Sequence, residues 1–223
     1  MNDAKRSPSE AGRATRLGSM LARVWRFPRD RQLRRRLRIA AGAFVVRALA
    51  RRRMVGAVAP SSRRLAQAMA LAAQGADLVV ELGAGTGAVT AALIEAHHAR
   101  PLIVVEIDAR WADALRRRFP GIDVRCAPAH EALAQLALPA SQAVVLVSSL
   151  PFRSLPPHWH RQTRAAIERF VRADPRRRLV QYTYQPRAPF EVSAASPLAW
   201  RCRHAVWHNL PPAWVWELGA APA

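Results

Sequence analysis

Val79-Val-Glu-Leu-Gly-Ala-Gly-Thr-Gly-Ala88 decides the fold. An apolar strand over Asp77–Leu82 runs into glycines at 83, 85 and 87, and a helix over Ala88–His97 follows at once. Without side chains, glycines let a backbone turn tightly and approach a ligand closely. The same letters satisfy G-x-G-x-x-A through Ala88, a dinucleotide fingerprint, so the glycine spacing alone leaves the ligand open.

Strands and helices alternate downstream of that loop. Strands are expected over Leu102–Ile107, Asp123–Cys126, Ala143–Ser148 and Leu179–Tyr184. Helices are expected over Arg110–Phe119, briefly near Glu131–Leu136, and over His158–Arg172. Trp200–His208, Asn209–Pro212 and Ala213–Leu218 read as a hairpin. Upstream, Gly56–Ser62 reads as a turn in which Ser61 or Ser62 can cap a helix over Arg63–Ala73, by accepting its orphan N–H groups. Unbroken apolar strands between helices predict an α/β protein with a parallel sheet covered on both faces.

The composition of the 223 residues excludes wholesale disorder, since 51 % are hydrophobic. The net charge is +20, from 35 basic and 15 acidic residues, and Lys5 is the single lysine. Such a balance points to a polyanionic partner, either nucleic acid or an anionic membrane face. Two cysteines cannot build a disulfide framework, which fits a reducing compartment.

Two carboxylates narrow the ligand. Glu81 precedes Gly83 by two residues, where it would repel a pyrophosphate and attract an amino group. Glu106 ends the next strand, placed to accept two ribose hydroxyls. Glu81-x-Gly83-x-Gly85-x-Gly87 with Glu106 resembles the class I S-adenosylmethionine-dependent methyltransferases. The resemblance implies a Rossmann-like seven-stranded sheet ordered 3-2-1-4-5-7-6 with an antiparallel last strand. It implies S-adenosylmethionine as cofactor, lined by Ser61, Ser62, Glu81, Gly83, Ala84, Gly85, Thr86, Gly87, Glu106, Ile107, Ala127 and Ser148, with no metal. Ala127 stands where many members carry an acid for the adenine amino group. Backbone groups, apolar packing or His130 must then hold that base.

Val147-Ser-Ser-Leu-Pro-Phe152 resembles the Asn-Leu-Pro-Tyr loop of ribosomal RNA adenine dimethyltransferases, but Ser148 and Ser149 replace the amide that holds a nucleobase amine. A longer ordered set looks like the bacterial phospholipid N-methyltransferases. It comprises an amphipathic Phe44–Arg53, Gly56–Ser62, the glycine loop, Ser148–Pro156, Gln181-Tyr-Thr-Tyr184 and Asn209-Leu-Pro-Pro-Ala-x-Val-Trp216. That resemblance implies stepwise methylation of phosphatidylethanolamine towards phosphatidylcholine at the cytoplasmic face of the inner membrane. Tyr182, Tyr184 and Ser149 are then the candidate catalytic residues, because ring faces attract ammonium groups. Arg153 and His158 are candidates for the lipid phosphate. An RNA methyltransferase fits the net charge equally well. A non-catalytic membrane-binding protein would not need an intact Glu81–Gly87 loop.

Residues 1–53 hold 16 basic and 3 acidic residues, leaving 19 and 12 for residues 54–223, where the methyltransferase domain is expected. The first 16 residues are polar. Leu33, Leu37, Ala41, Phe44, Val45, Ala48 and Leu49 then make a helical apolar stripe flanked by arginines. This basic amphipathic extension reads as peripheral membrane attachment through Phe44, Val45, Arg47, Leu49, Arg51 and Arg52. Its longest apolar run, Ile39–Val46, is far below the roughly 20 residues of a membrane span. Arg47 interrupts the run, which argues against an export signal. The partners expected are thus an anionic membrane surface and a phospholipid, not nucleic acid.

Overall fold

The computed structural model describes residues 60–97, 100–136, 142–193 and 195–221. The apolar stripe through Phe44, Val45, Arg47, Leu49, Arg51 and Arg52 lies outside the described residues.

The elements run α1 (Pro60–Ala72), β1 (Leu78–Leu82), α2 (Ala88–Ala96), β2 (Leu102–Glu106), α3 (Ala109–Arg118), β3 (Asp123–Cys126) and α4 (Ala129–Ala134). Then come β4 (Val144–Ser148), a 3-10 turn (Phe152–Ser154), α5 (Pro157–Arg172), β5 (Arg178–Thr183), β6 (Leu198–Val206) and β7 (Ala213–Ala220). The seven strands form one sheet ordered β3-β2-β1-β4-β5-β7-β6. β7 is antiparallel to both neighbours and the other pairs are parallel. The expected order and the reversed last strand are both present.

β1 and β4 are buried along their whole length, which is why they read as continuous apolar runs. Alternation then splits each strand between two cores. Val79, Val145, Val147 and Val180 pack with Leu65, Ala66, Met69 and Ala70 of α1 and Leu93 of α2. Val104 and Val124 meet Ala112 and Leu115 of α3 on the same side. Leu78, Val80, Leu82, Leu146 and Leu179 face the opposite way, towards Leu133 of α4 and Ile167 and Phe170 of α5.

α1 begins earlier than expected. Pro60 occupies its first turn, where a missing N–H costs nothing, so the positions of Ser61 and Ser62 fall inside the helix. β6 runs from Leu198 to Val206, so Trp207 and His208 belong to the turn rather than the strand. β6 is an edge strand, and it carries exposed Arg201, Arg203 and His204 with a bulge between Cys202 and His204. Charge and irregularity of this kind discourage pairing with another chain. No helix among the described residues is long and apolar enough to cross a membrane.

Cys126 lies on edge strand β3 and Cys202 on edge strand β6, both as exposed free thiols. Six inter-strand spacings separate them, about 29 Å in all, several times the reach of a disulfide. Mass spectrometry of the folded protein should therefore find both thiols alkylated in full, and an intramolecular Cys126–Cys202 bridge would overturn the strand order.

Candidate active site at the carboxyl end of the sheet

The strand order reverses between β1 and β4, and ligands of open α/β sheets bind at such a crevice beyond the strand ends. The glycine loop leaves β1 there. Gly83, Gly85 and Gly87 all have positive φ, at 76°, 53° and 79°. A Cβ on Gly87 would come within 2.8 Å of Leu115 and Phe119, whereas one on Gly85 would meet nothing within 4 Å. Gly87 is thus demanded by packing against α3, while the backbone at Gly85 faces open space. The Arg118 guanidinium donates to the Thr86 carbonyl at 3.0 Å and pins the exposed tip of the loop.

Glu81 lies under this loop and is completely buried. Thr90, in the first turn of α2, donates its hydroxyl to Glu81 Oε2 at 2.6 Å. Glu81 Oε1 has no hydrogen-bond partner among the described residues. Burial raises the carboxyl from 4.5 to about 7; the nearby Glu106 charge adds to the rise, and the Thr90 hydroxyl opposes it. A buried acceptor with one satisfied oxygen is built to receive a cationic donor.

Glu106 ends β2 and is also buried. Its Oε2 accepts the Gly85 N–H at 2.7 Å and its Oε1 accepts the Asp108 N–H at 3.0 Å. Each oxygen keeps a second lone pair, so one carboxylate braces the glycine loop and still has capacity for two hydroxyls. The next residue, Ile107, exposes 45 % of its surface beside it, an apolar platform suited to the face of a base. Ala127, after β3, contributes only backbone, its N–H donating to the Glu106 carbonyl at 3.2 Å. His130 follows at the start of α4, with Nδ1 buried and unpartnered among the described residues and its ring edge-on to Trp159.

The β4 loop closes the other wall. The Ser149 N–H donates to the Leu82 carbonyl at 3.0 Å, and Leu150 lies over Gly83. Ser148 is fully buried, and its hydroxyl accepts the Leu150 N–H, so that oxygen is used within the loop. Gln181 on β5 donates to the Leu150 carbonyl at 3.1 Å, a tie across 31 residues that the sequence did not signal. Phe152 is buried against Phe190, with ring centroids 4.8 Å apart.

Tyr182 is the penultimate residue of β5, and Tyr184 lies just beyond the strand. Their rings meet edge to face, 5.4 Å apart, on the α1 side of the sheet. The two rings therefore touch one another, edge to face. Arg153 is exposed and donates to the Ala188 carbonyl at 3.1 Å, joining the β4 loop to the segment after β5. His158 is exposed at the start of α5, edge-on to Trp159.

Together, the reversal of strand order, the glycine loop and the carboxylates towards the ends of β1 and β2 define the class I S-adenosylmethionine-dependent methyltransferase fold. The residues fit that cofactor. Glu81 offers a buried carboxylate for an amino group, Glu106 an acceptor pair for a ribose, and Ile107 an apolar surface for adenine. No protein-family model matches the chain. It is similar to ribosomal RNA small subunit methyltransferase A of Thermobifida fusca, 40 % identical over 85 residues, which is 34 % of this chain and 28 % of that protein. The chain thus aligns with little more than a quarter of the length of that curated relative. Among solved structures it resembles a putative O-methyltransferase from Klebsiella pneumoniae, with a TM-score of 0.53 and 17 % identity over 74 % of this chain and 82 % of that one. It also resembles the 23S rRNA methyltransferase ErmE, with a TM-score of 0.50 and 21 % identity over 71 % and 68 %.

The raised Glu81 carboxyl makes the cofactor-free protein sensitive to pH. The folded state holds this proton more tightly than the unfolded chain does. The stability it contributes is complete below 4.5 and is lost as pH rises through 7. Between pH 5 and 8 this loss should amount to about 2 kcal/mol, and Glu81→Gln should remove it. Denaturant melts of both proteins across that range provide the check, with equal pH slopes counting against a buried titrating Glu81.

Proposed function

We propose that this chain is an S-adenosylmethionine-dependent N-methyltransferase whose acceptor is the amine of a phospholipid headgroup, carrying phosphatidylethanolamine towards phosphatidylcholine. The observation that carries the choice of acceptor is the burial of Phe152. In a loop that presents a nucleobase amine, an amide and an aromatic face are needed to hold an extruded base. Here the loop has Ser149 in place of the amide, and its one ring is packed into the core on Phe190. Tyr182 and Tyr184 stand at the end of the neighbouring strand instead, where a ring can face a small ammonium.

Bound S-adenosylmethionine supplies a methyl group activated by its sulfonium. The protein's task is to hold a neutral amine in line with that methyl and to tolerate the cation that results. Glu81 would hold the cofactor's amino group and Glu106 its ribose hydroxyls, and Gly85 would let it lie against the backbone. One proton must leave the acceptor nitrogen before each further transfer. Tyr184, beside the β5 end, is the group we assign to the acceptor amine, with Tyr182 buttressing its ring. Arg153 and His158, both exposed at this end of the sheet, are the side chains assigned to the headgroup phosphate.

A second reading has a specific observation in its favour. The Thermobifida relative is named as a ribosomal RNA methyltransferase, and by name alone the matches favour an RNA acceptor over a lipid. The ordered motifs from Gly56 to Trp216 and the buried Phe152 support the lipid.

Radiolabelled methyl transfer, offered phosphatidylethanolamine in detergent and ribosomal RNA side by side, separates the two. Label is expected in lipid, and label in RNA alone would install the second reading. Within lipid turnover, Tyr184→Phe should keep most activity and Tyr184→Ala should lose at least about tenfold, as expected if a ring face holds the ammonium. Equal turnover in both variants would make this tyrosine ordinary core.

A further inference from the structure

The turn between β6 and β7, Trp207-His-Asn-Leu-Pro-Pro212, has no part in the cofactor site. Its position follows from register. Trp214 of β7 pairs with Thr183 at the end of β5, so the turn lies at the carboxyl end of the parallel strands. The glycine loop, Ile107 and the Ser149 loop occupy the same end of the sheet.

The turn carries the two most exposed large apolar side chains among the described residues, Leu210 at 88 % and Trp207 at 62 %. It is internally tied. Asn209 is buried, its N–H donates to the Val206 carbonyl, and its amide donates to the Pro211 carbonyl at 2.6 Å. The Trp207 ring stands edge-on to Trp214, with centroids 5.9 Å apart. A buried asparagine therefore holds a turn whose apolar residues point outwards. Four of the seven tryptophans of the chain lie between Trp200 and Trp216. Tryptophan, with an apolar body and one N–H, favours the boundary between lipid and water.

We propose that this turn is a lipid-inserting tip, which seats the active-site end of the sheet on an anionic bilayer. The inference rests on the lipid reading of the function and names where that substrate's surface meets the domain. One Trp and one Leu fall far short of the roughly 800 Å² per partner that a stable protein interface buries, whereas a bilayer accepts single side chains from a protruding turn. The charge agrees, because the chain carries +20, and Arg153 and Arg187 lie exposed after β4 and β5 at this end. Shallow insertion of the tip would present headgroup amines to the cleft without extracting a lipid from the bilayer.

The test uses the full chain and its Trp207→Ser, Leu210→Ser double variant. Vesicles of phosphatidylethanolamine and phosphatidylglycerol, with and without brominated acyl chains, report partition and tryptophan quenching in high salt, where surface attraction is screened. The double variant should partition at least about tenfold more weakly and lose most of the quenching. Its thermal midpoint and its turnover on detergent-dispersed phosphatidylethanolamine should match the parent. Unchanged partition and quenching would overturn the tip. So would unchanged partition with loss of a dimer in sedimentation, which would make the turn a protein interface. Failure of the parent itself to methylate detergent-dispersed lipid would refute the lipid reading, whatever the quenching shows.

Discussion

A carboxylate buried without a counter-charge is the constraint around which this domain is arranged. Glu81 sits on the central strand of the sheet, between Val104 of β2 and Val147 of β4 in register, where every other side chain of β1 is apolar. Its burial carries a cost that the domain alone offsets only partly, through the Thr90 hydroxyl. The glycine loop covers it, Glu106 braces that loop from below, and Gly87 lets α2 begin close enough to bring Thr90 to it. The arrangement holds a destabilised group at one end of a rigid crevice, as ligand sites often do.

The opposite wall is tied just as closely. Three strand ends meet through backbone and amide hydrogen bonds: Leu82 to Ser149, and Leu150 to Gln181. Leu150 also fills the space over Gly83, so the β4 loop and the glycine loop fix one another's position. A methyl transfer needs its two reactants aligned to a fraction of an ångström, and such cross-bracing supplies that alignment better than a free loop would.

Much of this was legible in the sequence, because the informative signals are local. The strand-glycine-helix sequence after Val79, the acid two residues before Gly83 and the acid at the end of the next strand each read directly. So did the alternation that makes the sheet parallel. The sheet order came through the resemblance those residues carry. What stayed hidden depends on contacts between distant segments. Nothing near Phe152 shows that it will pack on Phe190, 38 residues on. Nor does the spacing of Tyr182 and Tyr184 show that their rings will touch, since i and i+2 on a strand share a face but do not fix ring orientation. The start of α1 was misplaced for a different reason. Two serines suggest a cap, but the proline before them is itself a helix-starting residue.

We infer that Glu81 is held protonated near neutrality and ionises to receive the cofactor's amino group. Proton release on S-adenosylmethionine binding tests this most directly. It is measured by calorimetry at pH 6 in buffers of differing ionisation enthalpy. A group raised to about 7 is mostly protonated at that pH, so close to one proton per cofactor should be released, falling towards none by pH 8.5. Glu81→Gln should release none at either pH. Binding without proton release in the parent protein at pH 6, or the same release in the variant, would exclude this role for Glu81.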